Sequence, residues 1–122
     1  DAADQLGCEV AHIAKSILFQ TENGPVLVIT SGANRVDRKK VKSIIGCKAS
    51  MADAENVLES TGYRIGGVPP FGHSQQLTAL MDVELMQYDH VWGAGGTPQT
   101  VFPITPDELL RLSGATIADV KQ

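Results

Sequence analysis

The residue best suited by its surroundings to do chemistry is Lys15, a lone cation inside an apolar run. Residues 13–19 read Ile-Ala-Lys-Ser-Ile-Leu-Phe and include no carboxylate that would pair with the ammonium. A lysine in such a run either extends its head to water or directs it into a pocket. In a pocket, the ammonium could hold a carbonyl or a phosphate at fixed geometry, which suits the cleavage of an activated ester.

Two glycine-rich stretches further along the chain could form the walls of such a pocket. Residues 66–72 read Gly-Gly-Val-Pro-Pro-Phe-Gly, and residues 93–96 read Gly-Ala-Gly-Gly. Glycine lets a backbone approach a ligand closely, and backbone N–H groups can stabilise the oxyanion that develops in ester hydrolysis. The adjacent prolines stiffen the first stretch, which suits a wall that excludes large side chains. The simpler alternative is that each stretch is only a tight turn.

The order of these pieces resembles the YbaK/prolyl-tRNA synthetase-associated domain family, which hydrolyses mischarged aminoacyl-tRNAs. The resemblance rests on the lysine-bearing strand, a G-x-x-x-P loop from Gly66 to Pro70 and an Ala-Gly-Gly turn, and it runs from about residue 6 to residue 112. Members of that family usually have a helix and a strand before the point where this chain begins. We therefore expect a single editing domain over residues 1–122 that lacks this N-terminal helix and strand.

The resemblance implies an active site that needs neither a metal nor an organic cofactor. Lys15 matches the essential lysine of the family, and Gly66 and Gly67 complete the expected catalytic set. A ribose hydroxyl of the tRNA is thought to help activate water in that family, which suits a sequence with no obvious protein base. The residues expected to contact substrate are Ser16, Val68, Pro69, Pro70, Phe71, Gly72, His73, Gly95 and Gly96. For His73 the alternative is that it borders or caps the loop.

Basic residues are concentrated in one segment of an otherwise acidic chain. The net charge is −4 with an isoelectric point near 5.2, which argues against a general nucleic-acid-binding protein. Six of the ten basic residues nevertheless fall within residues 35–48, where they form either a solvated helix face or a local contact for phosphates. Because the resemblance supplies an RNA partner, we expect four of them to contact the tRNA backbone: Arg38, Lys39, Lys40 and Lys42.

The remaining composition is ordinary for a globular protein and gives no sign of a membrane segment. The chain is 43% hydrophobic and 20% charged, and no apolar run approaches the ~20 residues that span a bilayer. Cys8 and Cys47 lie outside any CxxC pattern, which predicts reduced thiols in a cytoplasmic protein and no metal site. The expected partners are the acceptor end of an aminoacyl-tRNA and, as a second candidate, prolyl-tRNA synthetase, but neither DNA nor a membrane.

Local sequence patterns predict a mixture of short strands and a few helices. Predicted strands cover residues 13–21, 25–30, 47–49, 77–83, 90–93 and 100–104, with a last one near residue 117. Asn23-Gly24 predicts a hairpin between the first two, and the continuous apolar run 26–29 predicts that the second is covered on both faces. Predicted helices cover residues 39–45, capped by Asn34 or Asp37, then 54–60, started by Ser50 or Asp53, then the segment after Thr105, where Glu108 completes a capping box. Leu58 and Leu112 are expected to face inward on these helices, and residues 2–7 resemble the end of a further helix. Mostly hairpin-like connections favour an α+β or mixed α/β fold. The resemblance implies a twisted, partly closed mixed sheet with helices on its outside.

These observations lead to one interpretation and leave two alternatives open. The interpretation is a freestanding deacylase that removes a wrong small amino acid, such as cysteine or alanine, from a tRNA, with tRNA for proline expected. One alternative is a binding module that holds a nucleotide or tRNA, or docks on a synthetase, without chemistry. The other is a hydrolase of small esters with no RNA partner, which the acidic isoelectric point favours.

Overall fold

A seven-stranded mixed sheet forms the centre of the protein. The computed structural model describes residues 10–97 and 99–122. The strands are β1 (Ile13–Thr21), β2 (Gly24–Ser31), β3 (Ser50–Met51), β4 (Thr78–Asp82), β5 (Val91–Ala94), β6 (Val101–Ile104) and β7 (Thr116–Ala118). They lie in the order β6-β5-β1-β2-β4-β7, and β3 pairs with β1. The predicted mixed α/β fold with a mixed sheet is therefore confirmed.

The predicted hairpin between the first two strands is present. Thr21 pairs with Gly24 around a two-residue turn, and the Thr21 hydroxyl donates a hydrogen bond of 2.7 Å to the Gly24 carbonyl. Gly24 adopts φ of +104°, a conformation that favours glycine and explains the Asn-Gly signal. This turn fixes the register of β1, the strand that carries Lys15.

The connections between strands differ from the predicted hairpin-rich pattern. Only β1–β2 and β5–β6 are hairpins among the described strands, whereas β5 pairs with β1, β4 with β2 and β7 with β4 in parallel. The sheet also stays open, with β6 and β7 at its two ends, rather than partly closing. Turn residues predict hairpins because they act within a few residues of the chain. Parallel strands are joined by long connections, and no short sequence motif predicts which strands will pair across them.

The sheet is covered on both faces around β2, as its continuous apolar run predicts. Leu27 and Ile29 belong to one buried cluster, and Val26 and Val28 belong to a second cluster on the opposite face. All four side chains are at most 5% exposed. Successive strand residues point to opposite faces, so an uninterrupted apolar run is what a strand between two layers requires.

Three short α-helices are capped as the sequence predicts. They are α1 (Arg38–Ile45), α2 (Ala54–Thr61) and α3 (Pro106–Ser113), and they are followed by left-handed glycines at Gly46, Gly62 and Gly114. Asp37, Asp53 and Thr105 accept hydrogen bonds from the first-turn amides, so Asp37 and Asp53 are the caps rather than Asn34 or Ser50. The predicted capping box at α3 is half formed, because the Glu108 carboxylate instead binds Arg111 at 2.7 Å.

Some local predictions are wrong in ways that the packing explains. Leu58 and Leu112 were expected to face inward but are 41% and 44% exposed, because Val57 and Leu109 occupy the buried stripe of these eight-residue helices. Strand pairing begins at Ser50 rather than within residues 47–49. The expected helix end within residues 2–7 lies outside the described residues, as does Cys8. Of the helices described, none has the length and apolar character to cross a membrane.

Candidate active site

The edge of β1 opposite β2 is paired at both ends and open in the middle. β5 pairs with this edge at Ile13 and Ala14, and β3 pairs with it at Phe19 and Gln20. Between these two partners, the register assigns no strand to residues 15–18 on that edge within the described chain. The interruption from Ala14 to Phe19 is roughly 16 Å long at the usual rise of a strand. This gap in the sheet is the first structural element of the candidate site.

The glycine-proline loop lies across this gap. Gly66, with φ of +90°, and the buried Val68 line both cavities that the gap leaves on the two sides of the loop. Lys15 and Ser16 line the same two cavities from the strand. The structure therefore brings the lysine strand and the start of the G-x-x-x-P loop into one site, although about 50 residues separate them in the chain.

Both cavities are small and mostly apolar. The first has a volume of about 230 Å³, and its remaining lining is Ile17, Leu18, Met51, Ala52, Val57 and Ile65. The second has a volume of about 150 Å³, and its remaining lining is Ile13, Ala14, Trp92, Ala94, Thr100 and Val101. Neither lining contains a carboxylate or an imidazole. Lys15 is the one charged side chain that the two linings share, so the chemistry that these cavities support is electrostatic.

The Lys15 ammonium is perturbed by its position at the gap. Its partial burial and, to a smaller extent, the neighbouring Arg35 guanidinium lower the pKa of Lys15 from its ordinary value. On the same strand edge Lys15 also borders a groove of about 380 Å³ together with Arg35 and Arg38. No carboxylate lines that groove, so Lys15 faces cations there and is left to attract an anionic or carbonyl ligand.

The glycines of the two predicted stretches pack directly against each other. A Cβ on Gly67 would lie 2.8 Å from the Thr97 Cα and 2.9 Å from the Gly96 oxygen, so only glycine fits there. A Cβ on Gly95 would likewise lie 2.8 Å from the Thr100 Cγ2. The turn after β5 therefore supports the loop from behind. Gly95 and Gly96 line neither of the two cavities.

Gly66 and Gly67, the two glycines that the sequence predicts to be catalytic, differ in the hydrogen bonds of their backbone amides. The Gly67 N–H donates a 3.0 Å hydrogen bond to the Arg64 carbonyl and so closes a turn. Within the described residues, the Gly66 N–H makes no comparable backbone hydrogen bond, and Gly66 is exposed at the cavity mouths. The donor most available to a ligand is thus Gly66, and Gly67 holds the loop in shape.

The rest of the predicted substrate-binding loop turns away from the cavities and braces the fold. Phe71 contacts Phe102 edge to face with ring centroids 5.8 Å apart, and the Gly72 carbonyl accepts a 3.2 Å hydrogen bond from the Tyr63 hydroxyl. The His73 Nε2 lies 2.7 Å from the Pro69 carbonyl, where it acts as the donor. Pro69 and Pro70 are buried. This arrangement matches the alternative in which His73 caps the loop.

The basic segment extends from the site along one surface. Arg38 borders both the groove that contains Lys15 and a neighbouring groove of about 480 Å³ lined by Lys39, Lys42 and Lys48. Lys40 is directed elsewhere, because its Nζ lies 3.0 Å from an Asp119 carboxylate oxygen and donates to the Lys121 carbonyl at 2.7 Å. The predicted set of four thus separates into three outward cations and one that is engaged within the fold.

The sequence analysis missed several residues that shape the site. Met51 and Ile65 form an apolar lip on the larger cavity, where they are 66% and 57% exposed. Trp92 and Arg35 border the smaller cavity and the groove. Isolated apolar residues in connecting segments have no periodic pattern, so nothing in the sequence marked Met51 or Ile65. Arg35 was counted only as part of the basic segment.

Comparison with known proteins gives consistent matches over most of the chain. The family model described as "Aminoacyl-tRNA editing domain" matches residues 1–112. A solved structure described as a candidate trans-editing enzyme for prolyl-tRNA synthetase is 47% identical, with a TM-score of 0.97, over 99% of this chain and 77% of that one.

Two curated bacterial proteins are also similar to this chain. The uncharacterized protein YwhH of Bacillus subtilis strain 168 is 37% identical over 92% of this chain and 72% of its own length. EbsC of Enterococcus faecalis, named as a candidate Cys-tRNA(Pro)/Cys-tRNA(Cys) deacylase, is 27% identical over 97% of this chain and 73% of its own length. The match to YwhH extends over more than two thirds of both chains, so the similarity is not limited to a short motif.

Proposed function

This chain belongs to the aminoacyl-tRNA editing domain family, and on that basis we propose that it is a deacylase that hydrolyses the ester of a mischarged aminoacyl-tRNA. The observation that carries the proposal is the convergence of the Lys15 ammonium and the Gly66 loop on two small apolar cavities at the gap in β1. A cation and an available backbone donor at one apolar site can polarise an ester carbonyl.

The proposed reaction requires little from the protein beyond electrostatics. Water adds to the ester carbonyl carbon, the carbonyl oxygen becomes an oxyanion, and the proton that the water loses passes to the neighbouring ribose hydroxyl, which gives up its own proton. The oxyanion then collapses, the bond to the ribose ester oxygen breaks, and that oxygen takes the relayed proton and leaves as a hydroxyl group. Lys15 and the Gly66 N–H hold the developing negative charge. Because the linings of the two cavities offer no carboxylate or imidazole, we assign activation of the water to the neighbouring ribose hydroxyl of the substrate.

The size and polarity of the cavities favour a small amino acid. Volumes of about 230 and 150 Å³ must accommodate parts of both the aminoacyl group and the terminal nucleotide. The loop that lines both cavities packs closely through Gly67 against the Gly96–Thr97 turn, and this packing opposes displacement of the loop by a bulky side chain. Cysteine or alanine on tRNA for proline fits this limit, and a second sieve of this kind is what discrimination between small side chains requires.

The outward cations give the tRNA a path to the site. Arg38, Lys39 and Lys42 are exposed, and Arg38 borders the groove that leads to Lys15. We assign these three to the phosphates near the acceptor end, and we withdraw Lys40 because Asp119 already engages it. Prolyl-tRNA synthetase is the proposed source of the mischarged tRNA, and the cytoplasm is the proposed location.

The test is deacylation of a panel of charged tRNAs. Alanyl-, cysteinyl-, seryl- and prolyl-tRNA for proline are compared with wild type, Lys15→Ala and the control Lys40→Ala. We expect rapid loss of one mischarged species, and a rate at least about a hundred-fold lower in Lys15→Ala, because one charge-stabilising donor is worth that much. Lys40→Ala should stay close to wild type.

Two outcomes would replace this proposal. Tight tRNA binding with no turnover on any species would favour the binding module. Equal turnover of a free aminoacyl ester and the charged tRNA would favour the small-ester hydrolase.

A further inference from the structure

Successive residues of β1 direct their backbone N–H and C=O groups to opposite edges of the strand. Thr21 and Gly24 flank a two-residue turn, and at the other end the Gly32 N–H donates to the Ile13 carbonyl at 2.7 Å. In an antiparallel pair, every second residue exchanges both hydrogen bonds with its partner. The odd-numbered residues of β1 therefore bond to β2, and the even-numbered residues direct their N–H and C=O groups to the opposite edge.

On that opposite edge, Ser16 is the even-numbered residue left without a strand partner. Ala14 pairs with β5, the Leu18 carbonyl accepts a 3.1 Å hydrogen bond from the Ala52 N–H, and Gln20 pairs with β3. Ser16 falls between them, in the middle of the gap, and it lines both cavities. Its N–H and C=O consequently point into the site.

The Ser16 side chain adds a third unsatisfied group at the same point. Its hydroxyl oxygen is buried and has no hydrogen-bond partner among the described residues. Buried polar groups in folded proteins nearly always have a partner, so an unpartnered hydroxyl that lines a cavity is available to a molecule that enters it. Ser16 therefore offers a ligand one backbone donor, one backbone acceptor and a side-chain hydroxyl. The two backbone groups are those that a strand residue uses to pair with a neighbouring strand.

We propose that the aminoacyl group of the substrate pairs with Ser16 as a single residue of an antiparallel strand. Its α-ammonium donates to the Ser16 C=O, and its ester carbonyl accepts from the Ser16 N–H, which reproduces the two hydrogen bonds that directly opposed residues exchange. This inference rests on the proposed deacylase function. It adds the strand edge as the element that recognises the amino acid, next to the charge supplied by Lys15.

The register of β3 supports this arrangement. β3 is antiparallel to β1, with Met51 opposite Phe19, so an extension in the same register would place a residue opposite Ser16 three positions further on. The chain instead leaves the sheet at Asp53, which caps α2. The aminoacyl group would fill the vacated strand position with the same direction and the same hydrogen-bond pattern.

The proposed pairing also predicts that the site prefers L-aminoacyl esters to D-aminoacyl esters. Opposed residues in a sheet project their side chains to the same face, so an L-amino acid would place its side chain beside the Ser16 hydroxyl and Val68. A D-amino acid would project to the other face, where Lys15 and Arg35 lie. The edge would thus select L-aminoacyl esters by geometry.

The test uses stable analogues and reads the Ser16 amide directly. Wild-type protein is titrated with 3′-deoxy-3′-(L-alanylamino)adenosine, with its D-alanyl isomer and with the propionyl analogue that lacks the ammonium. We expect the L-alanyl analogue to shift the Ser16 amide proton downfield and slow its exchange at least about ten-fold, with Ala14 and Gln20 unchanged. Loss of the ammonium or inversion of the centre should weaken binding about ten- to a hundred-fold.

The outcomes separate this inference from the deacylase proposal. An unchanged Ser16 amide, or equal affinity for all three analogues, would overturn strand pairing even if the enzyme deacylates tRNA. Ser16→Ala, which keeps the backbone groups, should retain the stereochemical preference. Loss of that preference in a folded Ser16→Ala protein would assign recognition to the hydroxyl instead and overturn the backbone pairing.

Discussion

At the scale of single residues, the site depends on a lysine held where its charge is costly. Lys15 is partly buried, lies near Arg35 and has no carboxylate in the cavities that it lines. Such a cation contributes less to folding than an exposed lysine, and residues of this kind concentrate at functional sites. The same surroundings make it attract an electron-rich ligand when one enters.

The first prediction concerns the titration of Lys15. Burial lowers its pKa first and Arg35 second, so Arg35→Gln should raise the pKa without restoring the ordinary value. Deacylation that needs the ammonium should then persist to higher pH in the variant, after subtraction of uncatalysed ester hydrolysis. The check is a ¹³C titration of the Lys15 ε-carbon in both proteins, and an equal or lower pKa in Arg35→Gln would contradict the assignment.

The sign of the stability effect follows from the same shift. Between the folded pKa and the higher unfolded pKa, the unfolded chain binds more protons, so the free energy of unfolding rises with pH in that window. Arg35→Gln brings the folded pKa of Lys15 closer to its unfolded pKa. The free energy of unfolding should therefore rise less with pH in this variant than in wild type. Urea unfolding at a series of alkaline pH values measures it.

A second residue-scale prediction concerns Gly67. In Gly67→Ala the new Cβ would meet backbone atoms of Gly96 and Thr97 within 3 Å, so the loop must separate from the turn behind it. Activity should fall by at least about ten-fold, because displacement of the loop misplaces the Gly66 donor. Gly114→Ala is the control, since it costs about 1 kcal/mol through its left-handed backbone but lies at the end of α3.

Kinetics and thermal unfolding of the two variants distinguish loss of activity through loop displacement from loss of activity through lower stability. If Gly67→Ala and Gly114→Ala lose similar activity for similar losses of stability, the loop contact has no special role. A folded Gly67→Ala protein with a lower kcat, beside a normal kcat in Gly114→Ala, would support it.

At the scale of elements, β1 provides the open edge of the candidate site and α1 provides the cations beside it. β1 has a complete ladder with β2 on one edge and an interrupted one with β5 and β3 on the other, so the same strand is both rigid support and binding edge. α1 presents cations next to the groove that reaches Lys15. Its short length and its Asp37 cap fix which side chains turn outward.

The prediction for α1 compares two adjacent lysines. Lys39 is exposed, whereas Lys40 is engaged by Asp119 and the Lys121 carbonyl. Lys39→Gln should raise KM for charged tRNA with little change in kcat, and should reduce the slope of log affinity against log salt by nearly one. Lys40→Gln should leave both nearly unchanged, because exposed ion pairs contribute little. Equal effects from the two substitutions would remove α1 from the tRNA path.

At the scale of the whole molecule, an open mixed sheet with two buried clusters positions Lys15, the 66–72 loop and the turn after β5. Parallel pairing of β5 with β1 brings the turn after β5 to the site, and the 66–72 loop enters from between α2 and β4. Lys15, the 66–72 loop and the turn after β5 therefore come from three separate parts of the chain. Their convergence depends on the crossover connections rather than on any local motif.

The sequence by itself determined most of the local elements and pointed to Lys15 as the candidate reactive group. The Asn-Gly turn, the apolar run of β2 and the cap at Thr105 depend on residues close together in the chain, so each leaves a recognisable local pattern, whereas the choice of Asp37 over Asn34 came from the structure. The resemblance to an editing family, carried by the lysine, the G-x-x-x-P loop and the following turn, was confirmed by the family match.

Only the tertiary structure decided which of those groups can act together. The interrupted edge at Ser16, the packing of Gly67 against the Gly96–Thr97 turn, the engagement of Lys40 by Asp119 and the apolar lip at Met51 depend on residues distant in sequence or on a strand position left unpaired among the described residues. Hydrogen bonds and excluded volume are properties of pairs of atoms. The sequence lists the atoms, but long-range strand pairing decides which pairs form and which strand position stays empty.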